Sequence, residues 1–150
     1  MEISIPQVVP GGVLPSKYTS DGGGVSPQLL WKDVPKATKS LVLICEDPDA
    51  PSGMWTHWIV YNLPANAAGL EEGVKNFPSG TQLGINTAHE TAYIPPSPPT
   101  GEHRYYFKLY ALDITLDLKK PTRDVILKAM QGHMLGTASL LTRYSRGSRI

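Results

Sequence analysis

A chain of 150 residues, 41% hydrophobic and 18% charged, is long and apolar enough to build one core without disulfide or metal staples. Fourteen basic against thirteen acidic residues leave a net charge of +1, and no basic stripe appears, so nucleic acid is excluded as an expected partner. Cys45 is the single cysteine, which excludes an internal disulfide. No apolar run approaches the roughly 20 residues of a membrane helix, and the N-terminus lacks a basic-then-apolar signal pattern. One cytoplasmic domain over residues 1–150, with no membrane insertion, is expected.

Fourteen glycines and fourteen prolines, against a usual combined share of about 12%, predict many turns between short strands. Residues 1–35 hold short apolar pieces, Ile3–Ile5, Val8–Val9 and Val13–Leu14. Pro10-Gly11-Gly12 and Asp21-Gly22-Gly23-Gly24 separate them. The triple glycine reads as a flexible turn, because no GKS/T follows it and no strand-to-helix context surrounds it. Leu41–Cys45 and Ile59–Leu63 read as two strands. The connection between them holds Asp47-Pro48-Asp49-Ala50-Pro51, then Trp55 and His57. Its two prolines stiffen the loop.

The stretch from Pro64 to Glu102 is long for a structureless connection, so small elements or a function are expected inside it. It ends in Pro95-Pro96-Ser97-Pro98-Pro99, read as a rigid wall rather than a peptide ligand because it runs straight into a strand. In that strand, His103–Leu112, alternation places His103, Tyr105, Phe107, Leu109 and Ala111 on one face. Arg104, Tyr106, Lys108 and Tyr110 fall on the other, partly exposed face. Ile114–Leu118 could continue as a strand.

Thr122 then caps a helix, with Asp124 in its first turn. Val125, Ile126, Ala129 and Met130 form its apolar stripe, and it ends near Gly132. His133 at its C-terminus suits the helix dipole. A closing strand with Ala138, Leu140, Thr142 and Tyr144 on one face is expected. Arg143, Arg146 and Arg149 read as a solvated end. The pattern predicts a mainly all-β fold: a two-sheet antiparallel sandwich with one or two short peripheral helices near the C-terminus.

Of four histidines, His57 and His103 each open a strand after a proline-stiffened loop. If the strands are neighbours in one sheet, both imidazoles and Asp47 can converge at one end of it. Two imidazoles oriented by a carboxylate would make a receptor for a phosphate-like anion. Trp55, Tyr105 and the prolines would form its apolar walls. The bland readings stand beside this one. Strand-opening histidines are often satisfied boundary residues, and Asp47 and Asp49 could be ordinary turn residues. A hydrolase or metal-dependent enzyme using the same His/Asp cluster is the alternative. No H-x-x-x-H or C-x-x-C spacing and no G-x-S-x-G backs it.

At these residues the chain resembles a known family. Asp47-Pro48-Asp49-Ala50-Pro51, His57-Trp58-Ile59-Val60-Tyr61-Asn62 and Gly101-Glu102-His103-Arg104-Tyr105 are similar to the signatures of phosphatidylethanolamine-binding proteins. The agreement is with their bacterial and archaeal Raf-kinase-inhibitor-like branch, and it covers nearly the whole chain.

The resemblance implies a Greek-key antiparallel sandwich and a non-enzymatic pocket for phosphate or phosphorylated head groups. It implies Asp47, His57, His103, Tyr105 and Trp55 at the ligand, with Asp49, Pro51, Pro98 and Pro99 shaping the pocket. It implies no cofactor and no metal, a kinase or protease as protein partner, and homodimer formation. Arg104 is expected to be structural. Two departures matter: the C-terminal helix of eukaryotic members has no counterpart before Ile150, and Ile94 and Ser97 stand where many prokaryotic relatives carry cysteines.

Overall fold

In a computed structural model, the structure describes residues 1–146. Among the described residues, eight strands form two antiparallel sheets. The larger is built from β3 (Ser40–Asp47), β4 (Trp55–Pro64), β6 (Gln82–Leu83), β7 (His103–Leu112) and β8 (Met134–Tyr144), in the order β6-β4-β3-β7-β8. The smaller contains β1 (Glu2–Ser4), β2 (Leu29–Lys32) and β5 (Gly69–Leu70), in the order β1-β2-β5. Helix α1 (Arg123–Met130) lies near the C-terminus. A 3-10 turn at Ser16–Tyr18 near the N-terminus is the other helical element among the described residues.

Apolar residues of β1 and β2 (Ile3, Leu29, Trp31) pack against Leu43, Cys45, Trp58, Val60, Tyr105, Phe107 and Leu140 to form the inter-sheet core. The larger sheet is covered on its other face as well. There Val42, Ile44, Ile59 and Tyr61 pack with Leu112, Leu116, Ile126 and Met130. β3 is therefore buried along its full length, which is why its sequence is a continuous apolar run rather than an alternating one. Cys45 sits in that run fully buried, and burial pushes its thiol up, leaving an inert side chain. β7 keeps the expected alternation, with residues 103, 105, 107, 109 and 111 buried.

Several expectations needed correction. Ile114–Leu118 forms no strand. Asn62 holds it instead, donating from Nδ2 to the Leu116 carbonyl and accepting the Leu116 N–H, both at 2.8 Å. The Tyr61 hydroxyl reaches the Leu118 carbonyl at 2.7 Å. Side chains thus satisfy the segment's backbone where a ladder would have done so. On α1, Thr122 caps as expected, and Ile126 and Met130 are fully buried, but Val125 is 48% exposed. One residue in the apolar stripe therefore faces outward.

His133 does not simply face the helix end: its Nδ1 lies 2.9 Å from Asp113 Oδ1. The closing strand β8 is present with Leu140, Thr142 and Tyr144 buried. Arg143 belongs to it rather than to a solvated end. Its guanidinium donates to the Gly11 carbonyl at 2.6 Å and to Glu102 at 2.9 Å. Arg146 lies 3.5 Å from Asp21, and Arg149 lies outside the described residues. The glycine turn is not loose either. Gly24 has φ +70°, and a Cβ there would meet the ring of Pro95 at 2.9 Å, so this turn packs beneath the proline wall.

Candidate functional site

The strands carrying the two histidines are not neighbours. β3 runs between β4 and β7 and presents Asp47, its last residue, between them. Asp47 and His103 reach the same place by simple alternation, continuing the inward faces of Leu43 and Cys45 on β3 and of Phe107 and Tyr105 on β7. His57 does not. On β4, Trp58 and Val60 face the inter-sheet core while Ile59 and Tyr61 face the helix. Strict alternation would send His57 to the helix side. The register steps from Cys45↔Trp58 to Glu46↔Thr56, which leaves His57 as the extra residue of a β-bulge. A bulge re-aims a side chain, and this one turns His57 to the side of His103 and Tyr105.

The result is a cavity of about 320 Å³, at the lower end of the size range for small-molecule sites. It is lined by Asp47, Pro51, Trp55, His57, Pro98, Pro99, His103 and Tyr105, and also by Ala50, Ser52, Ile94, Pro95 and Ser97. The Tyr105 ring stands between the imidazoles, 5.4 Å from that of His57 and 6.4 Å from that of His103. Burial, reinforced by the Asp47 charge, pushes its phenol up, so the hydroxyl stays protonated. Trp55 meets His57 edge-on at 6.5 Å.

Hydrogen bonds fix the orientation of both imidazoles. His57 Nδ1 lies 2.6 Å from the Ile94 carbonyl, which can only accept, so Nδ1 carries the proton. His103 Nδ1 lies 2.7 Å from Asp47 Oδ2, and the carboxylate fixes its tautomer in the same way. Both rings line the cavity, and among the described residues neither Nε2 has a hydrogen bond. Asp47 Oδ1 accepts the Asp49 N–H at 2.7 Å. Both carboxylate oxygens thus have protein partners, so Asp47 positions His103 and the loop. His57 is almost fully buried, and burial lowers its pKa despite the Ile94 carbonyl and the Asp47 charge.

Asp49 is absent from the cavity lining. It clamps Arg104 instead, accepting from Nε at 3.0 Å, from Nη2 at 2.8 Å and from the backbone N–H at 2.8 Å. The guanidinium holds the Asp49 carboxyl down at about 2. This pair ties the Asp-Pro-Asp loop to the start of β7, which accounts for both residues in the motif.

Sequence reasoning missed Asn86. Buried in the long connection, it accepts the N–H groups of Ala88 and Glu90 at 3.0 Å through Oδ1 and donates to the Ala92 carbonyl at 2.8 Å. It thereby shapes the loop that delivers Ile94 to His57. An asparagine in a polar turn was the available signal, though it does not say which chain the turn supports.

The family model for phosphatidylethanolamine-binding protein matches residues 4–145. A UPF0098 protein of Methanothermobacter thermautotrophicus is 49% identical over 140 residues, covering 91% of this chain and 93% of its own. A UPF0098 protein of Chlamydia trachomatis is 47% identical over 142 residues, with the same two coverages. Among solved structures, a phosphatidylethanolamine-binding protein homolog from Chlamydia trachomatis matches with a TM-score of 0.91 at 43% identity, over 97% of both chains. YbcL of E. coli, described as a new member of the mammalian family, matches with a TM-score of 0.87 at 27% identity, over 96% of this chain and 97% of its own. The chain belongs to the phosphatidylethanolamine-binding protein family. Its bacterial and archaeal relatives place it in the prokaryotic branch that its motifs resemble.

Proposed function

We propose that this protein is a non-enzymatic binding protein whose cavity receives a small anionic group, a phosphate or the phosphorylated head of a metabolite or lipid. The observation that carries the reading is the pair of oriented imidazoles. Each has Nδ1 engaged by the protein and lines one apolar-walled cavity, where a protonated imidazole can donate to an anion through Nε2. Membership of a family named for a phospholipid supports the same class of ligand. Occupancy of the pocket would then modulate a protein partner of the kinase or protease kind. No helix among the described residues is long and apolar enough to cross a membrane, so a lipid head group would be met at a surface or in solution.

The test is an NMR titration with inorganic phosphate and phosphorylethanolamine, following histidine ring signals in wild type and His57→Ala. Saturable shifts at His57 and His103, lost in the variant, are expected. Absence of shifts at millimolar ligand would overturn the reading. Turnover of phosphorylethanolamine during the titration would favour the hydrolase alternative instead.

A further inference from the structure

The cavity is an unusual place for an anion. Among the described residues, no lysine or arginine lines it. Arg104, next to His103 in the chain, is committed to Asp49 through two side-chain hydrogen bonds. The one acidic side chain among the described lining residues is Asp47, whose carboxylate would repel an anion. An anion held there must find its positive partner on an imidazole.

The tautomers decide how that can happen. With Nδ1–H of His57 donated to the Ile94 carbonyl and Nδ1–H of His103 donated to Asp47, the Nε2 that a neutral ring of this lining can offer a ligand is a bare lone pair. A lone pair repels an anion, and it becomes a donor only on gaining a proton. The two rings differ in their surroundings. His103 already faces the Asp47 carboxylate, so its charged form has a counter-ion with or without a ligand. His57 faces a neutral carbonyl from the proline-rich segment. The charged and titratable groups near it are Asp47 on β3 and His103 and Tyr105 on β7, and the Asp47 carboxylate is taken up by His103 and the Asp49 N–H.

We propose that the pocket binds its anion together with a proton, which His57 takes up at Nε2, so that occupancy depends on pH. The proton comes from bulk solvent, no covalent bond of the ligand breaks, and the bound state is imidazolium against anion. This rests on the anion-binding reading above and adds to it the chemistry by which the ligand is held. The charge the pocket gains is one imidazolium for each anion bound. The direction of the effect follows from linkage. An anion that favours imidazolium raises the His57 pKa in the complex, so affinity rises as pH falls and weakens as pH rises.

Sulfate is the discriminating probe, because it does not titrate near neutrality and any proton taken up must lie on the protein. Calorimetric titration of the full chain with sulfate at pH 7.0, in buffers of different ionisation enthalpy, is expected to report about one proton taken up per sulfate. The dissociation constant should rise by up to about tenfold per pH unit above the His57 pKa of the complex-free protein. His57→Gln replaces the imidazole with an amide that donates without a proton, so uptake should fall to less than half of the wild-type value. Saturable sulfate binding to wild type with no uptake would overturn this inference while leaving anion binding intact. Full uptake retained in folded His57→Gln would overturn the assignment to His57. If neither sulfate nor phosphorylethanolamine binds wild type at millimolar concentration, the anion reading itself falls, and this inference with it.

Discussion

Replacing Asp47 by asparagine tests whether this carboxylate works through His103. Its side chain is 5% exposed, and it accepts two short hydrogen bonds, from His103 Nδ1 and from the Asp49 N–H, each at 2.7 Å. A hydrogen bond to a charged group contributes about 1.5–3 kcal/mol net, a neutral one about 1 kcal/mol. Asparagine preserves the volume and can keep a carbonyl acceptor for Asp49, but its amide NH2 then faces His103.

The imidazole must in turn release Nδ1–H and shift to the Nε2–H tautomer in order to accept. Losing charge assistance at both bonds predicts a destabilisation of about 2 kcal/mol. For a chain of this length that lowers Tm by roughly 4–8 °C. Urea unfolding followed by tryptophan fluorescence measures the first effect, and ring-nitrogen NMR reads the tautomer. A stability loss below about 0.5 kcal/mol, with His103 still in the Nδ1–H form, would refute the assignment of Asp47 as the residue that orients it.

Two further predictions concern the other face of the larger sheet. Glu46 is wholly buried, with Lys108 Nζ and Arg123 Nε each at 2.8 Å. Burial alone would raise its carboxyl, but the hydrogen bonds from Arg123 and Lys108 outweigh it, and the net shift is downward. Glu46→Gln should cost about 3 kcal/mol at pH 7 by leaving two cations without their partner. Because the folded-state pKa is depressed, the contribution is present above the ordinary Glu value of about 4.3 and is lost as pH falls through the folded value. Urea midpoints of wild type and variant should therefore converge on acidification; a gap as wide at pH 3 as at pH 7 would count against the ion cluster. On α1, Ile126→Ala should cost about 2–5 kcal/mol, because Ile126 is fully buried. Val125→Ala should stay within about 0.5 kcal/mol; equal losses at the two positions would mean that the helix is turned differently on the sheet.

Much of the fold was legible in the chain because local rules and tertiary packing agree there. β7 alternates as its sequence does, since one face meets the inter-sheet core and the other is only partly covered. Thr122 caps α1 where the pattern placed it. Ile114–Leu118 misled because apolar content says that a segment is buried but not how its backbone is satisfied. Asn62 supplies that answer from a strand more than fifty residues away. Val125 misled because which edge of an amphipathic stripe faces inward depends on how the helix lies on its sheet.

At the site, the residue types and their proline-stiffened neighbours were enough to single out Asp47, His57, His103, Tyr105 and Trp55, all of which line one cavity. The sequence by itself determined the chemistry available there: two imidazoles, one carboxylate, aromatic walls and no cysteine among the lining residues. Only the tertiary structure decided which way His57 points. Period-2 alternation from Trp58 and Val60 sends it to the helix side, and one extra residue in β4 relative to β3 reverses that. A bulge is set by the pairing of two strands, so neither strand's sequence contains it. The same holds for the tautomer of His57, fixed by a carbonyl 37 residues further along the chain, because a hydrogen-bond partner brought in by a distant loop leaves no mark on local sequence.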